Sequence, residues 1–139
     1  MKVIFVDTNI IIDFITKRKL FYKEANKIFS LADTKKIILK TSSLSFANAY
    51  YICSRLKLNS DKELRSVFAS LKSLIEIIPI TSEILDRGLS DDLFKDFEDG
   101  LQYFSAISSN CEIILTRDLK DFKNAKLPVM TADNYISGL

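Results

Sequence analysis

The chain has 139 residues, 47% of them hydrophobic, and a formal net charge of +2. This length is typical of one domain, and the apolar fraction excludes a disordered or fibrous protein. Histidine is absent, which excludes Ser-His and Cys-His catalytic triads and histidine-bound zinc sites. We therefore predict one domain over residues 1–139, in which any catalysis uses carboxylates, lysines, hydroxyls or a metal ion.

The hydrophobic runs of the sequence are short. None approaches the roughly 18 apolar residues of a membrane span, and the run that precedes Asp7 is too short for a signal peptide. Cys53 and Cys111 lack metal-ligand spacing, so we expect two reduced, buried thiols. These features predict a cytoplasmic protein without a membrane partner.

Strand-like and helix-like patterns alternate along the chain. Residues 2–6, 37–39, 76–80, 112–115 and 128–130 have the β-branched, apolar composition of buried strands. Between them, capping residues and periodic apolar positions predict helices that follow Asp7, span 21–33 and 41–55, begin at Ser60, span 82–90 and 96–110, and begin near Asp133. This alternation predicts an α/β fold with a mainly parallel sheet of about five strands and helices on both faces.

Aspartates cluster at the predicted ends of strands and at one helix start. Asp7 follows the first strand, and Asp118 and Asp121 follow the fourth. Asp96 and Asp99 begin a helix and are spaced to share one face. Open parallel sheets form their sites beyond the carboxyl ends of the strands, so we expect these groups to converge.

Converging carboxylates repel one another unless a cation lies between them. Two or three carboxylates with retained water suit Mg²⁺, and oxygen ligands also suit Mn²⁺. Each acid has a structural alternative as well: Asp7 as a helix cap, Asp96 and Asp99 as helix-start residues, and Asp118 and Asp121 as turn residues. The sequence leaves that alternative open for each acid taken alone.

Three motifs resemble the PIN-domain ribonucleases, and in particular the VapC-like toxins of bacterial toxin–antitoxin pairs. They are Val6-Asp7-Thr8-Asn9, Asp96-Phe97-Glu98-Asp99-Gly100-Leu101-Gln102 and Thr116-Arg117-Asp118-Leu119-Lys120-Asp121-Phe122. The resemblance covers essentially the whole chain. It implies a three-layer α/β/α fold, Mg²⁺- or Mn²⁺-dependent cleavage of single-stranded RNA, a homodimer and neutralisation by a cognate antitoxin.

The resemblance also implies roles for single residues. Asp7 and Asp99 would be metal ligands, and Asp121, or Asp118 one turn before it, would be the further acid. Asn9 would position Asp7, together with Thr8. Thr116 would line the pocket, and Asp96 would be an auxiliary acid at its rim.

One position departs from the family pattern. The family usually has a glutamate in the helix after the second strand, and the matching residue here is Asn48. An amide is a weaker, neutral ligand, so this change leaves catalytic competence open. We predict that Asn48→Glu tightens Mn²⁺ binding in a calorimetric titration.

Basic residues form a candidate RNA-binding layer. Residues 1–60 carry a net charge of +7, and residues 61–99 carry −5. Lys17 and Arg18 follow the first helix, and Arg117 and Lys120 flank the last acidic motif; such groups bind phosphates without reading sequence. Solvated helix faces explain the same charges equally well.

Three other functions are alternatives to the nuclease. A receiver domain needs a phosphorylated aspartate after its third strand, where this chain has Pro79-Ile80-Thr81. A haloacid-dehalogenase-type phosphatase needs a second aspartate at position 9, which is Asn9. A PIN-fold binding module for RNA or an antitoxin, with a degenerate site, remains the main alternative because of Asn48.

Overall fold

Five strands alternate with seven α-helices in the computed structural model, which describes residues 1–139. In chain order the elements are β1 (Lys2–Val6), α1 (Thr8–Thr16), α2 (Tyr22–Asp33), β2 (Ile37–Ser42), α3 (Ser43–Arg55), α4 (Asp61–Leu71), β3 (Ile75–Ile78), α5 (Ser82–Ser90), α6 (Phe97–Ser108), β4 (Ile113–Leu115), a 3-10 helix (Leu119–Phe122), β5 (Val129–Met130) and α7 (Ala132–Ser137).

The strands form one parallel sheet in the order β3-β2-β1-β4-β5. The central strand β1 pairs with β2 on one side and β4 on the other; Ile4 is opposite both Leu39 and Ile113. Because all five strands run in one direction, their carboxyl ends share one edge of the sheet. The predicted parallel five-stranded sheet is confirmed.

The core lies on both faces of the sheet. Ile4, Val6 and Leu39 pack with α1 to α4 on one face, whereas Phe5 and Ile114 pack with α6 and the chain after β4 on the other. This alternation follows from the period of two along a strand, and it requires apolar residues at successive positions when both faces are covered. The three-layer α/β/α arrangement is therefore confirmed.

The element boundaries differ from the predicted ones mainly at β2 and after β4. Strand β2 continues three residues beyond Leu39 to Ser42, although Thr41 and Ser42 are polar. Both are fully buried, and the Thr41 hydroxyl donates to the carbonyl oxygen of Val6 at 2.8 Å. Satisfied hydroxyls can continue a buried strand, which a hydrophobic pattern does not reveal. The 3-10 helix after β4 was also not predicted.

Both cysteines are buried free thiols, as expected from their spacing. Burial raises the pKa of Cys111 to about 11, so its thiol is protonated at neutral pH. None of the helices combines the length and hydrophobicity required to span a bilayer.

Candidate active site

A cavity of about 520 Å³ opens at the carboxyl edge of the sheet, between α1, α3, α6 and the segment after β4. Four carboxylates line it, together with amides, apolar groups and one arginine: Asp7, Thr8, Asn9, Ile12, Asn48, Tyr51, Ile52, Arg55, Glu98, Asp99 and Asp118. We call this space the acidic cavity. Its position matches the site expected beyond the strand ends.

Asp7 lies at the base of the acidic cavity and is only 8% exposed. It follows β1 directly and caps α1, with Oδ1 accepting from the Thr8 N–H at 2.8 Å. Its Oδ2 accepts from the Thr116 hydroxyl at 2.8 Å. Burial raises the pKa of Asp7, and repulsion from Asp118 and Glu98 adds to the rise, while the two donors lower it.

Asn9 and Thr116 connect the start of α1 to the end of β4. The Asn9 side-chain amide nitrogen, Nδ2, donates to Thr116 Oγ1 and to Asp118 Oδ2, each at 3.2 Å. The Asp118 N–H donates back to Thr116 Oγ1 at 3.0 Å. These bonds link Asp7 and Asp118 through Thr116 and Asn9. An orienting role was predicted for Asn9, whereas Thr116 was predicted only to line the pocket.

Asp96 and Asp99 take different positions at the start of α6. Asp96 is the N-cap, and its carboxylate accepts from the Asp99 N–H at 3.0 Å. Asp99 is half-buried and lines the acidic cavity. Its pKa is raised to about 7, first by burial and then by repulsion from Asp96, Asp121, Asp7 and Glu98.

A buried bond anchors α6 to the end of β2. Gln102, one turn after Asp99, is 1% exposed, and its Oε1 accepts from the Ser42 hydroxyl at 2.5 Å. Ser42 also caps α3 by accepting from the Ser45 N–H at 2.9 Å. Two of the helices that form the walls of the acidic cavity, α3 and α6, are therefore attached to the same strand end.

Asp118 and Asp121 were left as alternatives by the sequence, and the structure separates them. Asp118 lines the acidic cavity with Asp7 and Asp99. Asp121, in the 3-10 helix, lines a second cavity with Asp96, Lys120 and Asp99. Only Asp99 faces both spaces, so Asp118 is the better-placed partner of Asp7.

The chemistry of these donors fits a hard divalent cation. Asp7, Asp99 and Asp118 offer carboxylate oxygens, which Mg²⁺ and Mn²⁺ prefer. Burial is the main cause of the raised pKa values of Asp7 and Asp99, and every charged neighbour that contributes to them is another acid. A bound cation would supply the countercharge that these carboxylates lack. No three acidic or cysteine side chains are already grouped at metal-ligand spacing, so the carboxylates would have to draw closer around an ion.

The four predicted RNA-binding residues lie outside the acidic cavity. Lys17 and Arg18 follow the far end of α1, which is nine residues long and so spans about 13 Å. Lys120 lines the second cavity, beside Asp121. The Arg117 guanidinium is bound by Asp13, on the side of α1 that faces α2.

The wall contributed by α3 carries three further groups beside Asn48. Tyr51, Ile52 and Arg55 lie three, four and seven residues after Asn48, so all four share one helix face. Tyr51 is 62% exposed, and Arg55 is the one basic residue of the acidic cavity. Helical spacing from Asn48 is the sequence signal that identifies them.

Glu98 was also missed as a site residue. It precedes Asp99 in the first turn of α6 and lines the acidic cavity. Adjacent residues on a helix point about 100° apart, so sequence spacing assigns Glu98 to a different face from Asp99. Its side chain nevertheless reaches across to Asn48.

Asp13 and Arg117 form a closed ion pair behind the acidic cavity. Arg117 Nε and Nη2 donate to the two Asp13 carboxylate oxygens at 2.9 and 3.2 Å. Asp13 is 1% exposed, and the guanidinium lies over the Phe21 ring, 4.2 Å from its centroid. This bidentate geometry is the strong form of a carboxylate–arginine contact.

The family model of the PIN domain matches residues 3–120 of this chain. The ribonuclease VapC1 of Aquifex aeolicus (strain VF5) is 29% identical over 136 residues, a match that covers 95% of this chain and 92% of that protein. The resemblance predicted from the three motifs is thus confirmed.

Solved structures share the fold at low sequence identity. VapBC2 from Rickettsia felis, bound to a DNA fragment from its promoter, has a TM-score of 0.66 and 22% identity, with 92% of this chain and 96% of that chain covered. VapC20 of Mycobacterium tuberculosis, a sarcin-ricin loop cleaving toxin, has a TM-score of 0.67 and 14% identity, with 89% and 95% covered. With its parallel sheet, its acidic edge and the match over residues 3–120, the chain belongs to the PIN domain family.

Proposed function

We propose that this protein is a metal-dependent endoribonuclease that cleaves single-stranded RNA and serves as the toxin of a toxin–antitoxin pair. The observation that carries the proposal is the acidic cavity, where Asp7, Asp99 and Asp118 meet at the carboxyl edge of the sheet. The similarity to a ribonuclease of the VapC type over most of both chains supports it. The expected cofactor is Mg²⁺ or Mn²⁺.

Asp7, Asp99 and Asp118 would hold the ion. Bound there, the ion would act as a Lewis acid that stabilises the charge developing on a phosphodiester. Thr116 and Asn9 keep Asp7 and Asp118 in place through hydroxyl and amide hydrogen bonds. Such orienting partners affect metal affinity or activity by roughly 10- to 100-fold when they are removed.

Substrate binding is assigned to the α3 wall of the acidic cavity. Arg55 would contact a phosphate, and the exposed Tyr51 ring would stack on an unpaired base. Both face the same space as the acids, so a strand bound to them passes over the carboxylates. Unpaired bases are required for this stacking, which favours a single-stranded substrate. Because that substrate is cellular RNA, we expect the protein to act in the cytoplasm.

The partners proposed for the chain follow from its structural relatives. The similar proteins include VapBC2 of Rickettsia felis and a toxin–antitoxin complex from Klebsiella pneumoniae. We propose a homodimer that binds a cognate antitoxin, which inhibits by placing a basic side chain in the acidic cavity. Under this mechanism Asp7→Asn weakens antitoxin binding; unchanged affinity in a calorimetric titration argues against it.

The test is cleavage of a structured RNA pool by the purified protein with Mg²⁺ or Mn²⁺. We expect cleavage that a chelator abolishes and that Asp7→Asn reduces by about 100-fold or more, beyond the effect of losing an orienting partner. Asparagine preserves the α1 cap, so the variant should remain folded. Asp33→Asn, an exposed aspartate at the end of α2, is the matched control and should cleave normally.

A second candidate is a PIN-fold module that binds RNA or an antitoxin with little turnover. Two observations favour it: Asn48 occupies the position of an expected acid, and no three acids are grouped at ligand spacing. Under this alternative, the protein binds RNA without cleaving it in either metal. Chelator-sensitive cleavage would exclude it.

A further inference from the structure

Asn48 and Glu98 meet across the acidic cavity. The Asn48 side chain is on α3, and Glu98 is in the first turn of α6. The Asn48 amide nitrogen, Nδ2, donates to Glu98 Oε1 at 2.5 Å. These residues are 50 positions apart in the chain, and the two helices reach the same strand end separately. The contact places a carboxylate directly beside the position where the family pattern has one on α3.

The ordinary role of a helix-start acid does not account for this contact. A glutamate in the first turn benefits from the helix dipole in whichever direction its side chain points. Glu98 turns toward α3 and lines the acidic cavity with Asp7, Asp99 and Asp118. Glu98 therefore adds negative charge to a site whose carboxylates already repel one another.

We propose that Glu98 supplies from α6 the carboxylate that this chain lacks at Asn48, so that it serves as the fourth acidic ligand of the metal site, held in place by the Asn48 amide. The inference rests on the proposed function. Under it the acidic cavity keeps four carboxylates, and the departure at Asn48 is a relocation of one charge from α3 to α6.

This inference reverses the expectation for Asn48→Glu that follows from the sequence alone. With Glu98 in hydrogen-bonding range of position 48, a glutamate there places two carboxylates side by side. Like charges at that distance oppose each other's ionisation. The single variant should therefore bind Mn²⁺ no more tightly than the natural protein, whereas Asn48→Glu combined with Glu98→Gln restores one carboxylate on α3.

The experiment is calorimetric titration of Mn²⁺ into four proteins: the natural chain, Glu98→Gln, Asn48→Glu and the double variant. We expect Glu98→Gln to bind Mn²⁺ about tenfold or more weakly, and the double variant to recover affinity to within a few-fold of the natural chain. Glu83→Gln, an exposed glutamate in the first turn of α5, is the control for any lost helix-start charge and should bind normally. Thermal unfolding in chelator verifies that each variant is folded.

Equal Mn²⁺ affinity in Glu98→Gln and the natural chain would overturn the inference. So would a double variant that binds no better than Glu98→Gln, because the two positions would then not be interchangeable. Neither result affects the proposed nuclease function if the natural chain binds Mn²⁺ and cleaves RNA. A natural chain that does neither contradicts the proposed function itself.

Discussion

Asp7 and Asp13 are both buried aspartates of the α1 segment, but their surroundings are opposite in charge. Asp13, inside α1, is bound bidentately by Arg117 and lies near Arg18, whose Nη1 is 3.9 Å away. Asp7, at the start of α1, accepts hydrogen bonds only from a backbone N–H and a hydroxyl, and its charged neighbours are other acids. Burial alone therefore does not distinguish Asp7, the proposed metal ligand, from Asp13; the absence of a fixed countercharge does.

Two arginines, Arg117 and Arg55, differ in the same way. Arg117 is committed to Asp13 and to the Phe21 ring, so its charge is used inside the fold. Arg55 has no carboxylate partner among the ion pairs and faces the acidic cavity. A charge that the fold does not neutralise remains available for a phosphate.

Breaking the closed pair should give the largest effect on stability. In Arg117→Met the stem can still pack on Phe21, but Asp13 keeps only the longer contact to Arg18, whose Nη1 is 3.9 Å away. Removal of one partner from a buried pair costs about 3–5 kcal/mol; since the Arg117 side chain is 28% exposed, we expect about 3 kcal/mol in urea unfolding at pH 7. Asp13→Asn combined with Arg117→Met should recover a large part of this loss.

The loss of unfolding free energy in Arg117→Met should depend on pH. Burial already raises the pKa of Asp13 in the folded natural protein, while Arg117 lowers it, so removing Arg117 raises it further. A raised folded pKa means stability that is present below the unfolded value near 3.8 and lost as pH rises through the folded value. The variant should therefore be closest to the natural protein near pH 4 and furthest from it at pH 7; a constant difference would contradict this assignment.

Tyr51→Ala tests whether the α3 wall of the acidic cavity binds RNA. Loss of one stacked base costs about 1–3 kcal/mol, so single-stranded RNA binding, measured by fluorescence anisotropy with metal omitted, should weaken by about tenfold. Tyr22→Ala, at the start of α2 beside Phe14, is the matched aromatic control and should bind RNA normally. Equal losses in both variants would show that the effect is one of folding.

Asp7→Asn should stabilise the protein when no metal is bound. Replacing an uncompensated buried carboxylate by a neutral cap should raise the free energy of unfolding by about 1 kcal/mol, in the range typical of stabilising substitutions at functional sites. Added Mn²⁺ should raise the melting temperature of the natural chain but not that of the variant. A destabilised Asp7→Asn would mean that the fold requires the charge at this position, as it does at Asp13.

Arg55→Gln should give the smallest effect. Loss of one phosphate contact weakens RNA binding at every sequence and lowers the salt dependence, with a slope change of about 0.7 for a single strand. Arg18→Gln, at the far end of α1, is the matched control and should leave the slope unchanged. The measurement is RNA affinity over a series of salt concentrations; equal slopes for Arg55→Gln and the natural chain would remove Arg55 from the binding surface.

The order of elements, the parallel sheet and the convergence of Asp7, Asp99 and the Asp118–Asp121 segment could all be predicted from the amino-acid sequence. These follow from local patterns: apolar runs, caps such as Asp7 and Asp96, and the rule that parallel strands end at one edge. The three motifs also determined the family, because their order and spacing extend over most of the chain.

Contacts between polar residues that are distant in the chain became apparent only in the folded protein. Arg117 binds Asp13 over a separation of 104 residues, and Asn48 reaches Glu98 over 50. Such contacts depend on how helices pack against a common sheet, and side-chain direction within a helix is not set by sequence spacing to a distant element. For this reason the sequence assigned Arg117 to RNA and passed over Glu98, whereas the fold places one in a closed ion pair and the other in the acidic cavity.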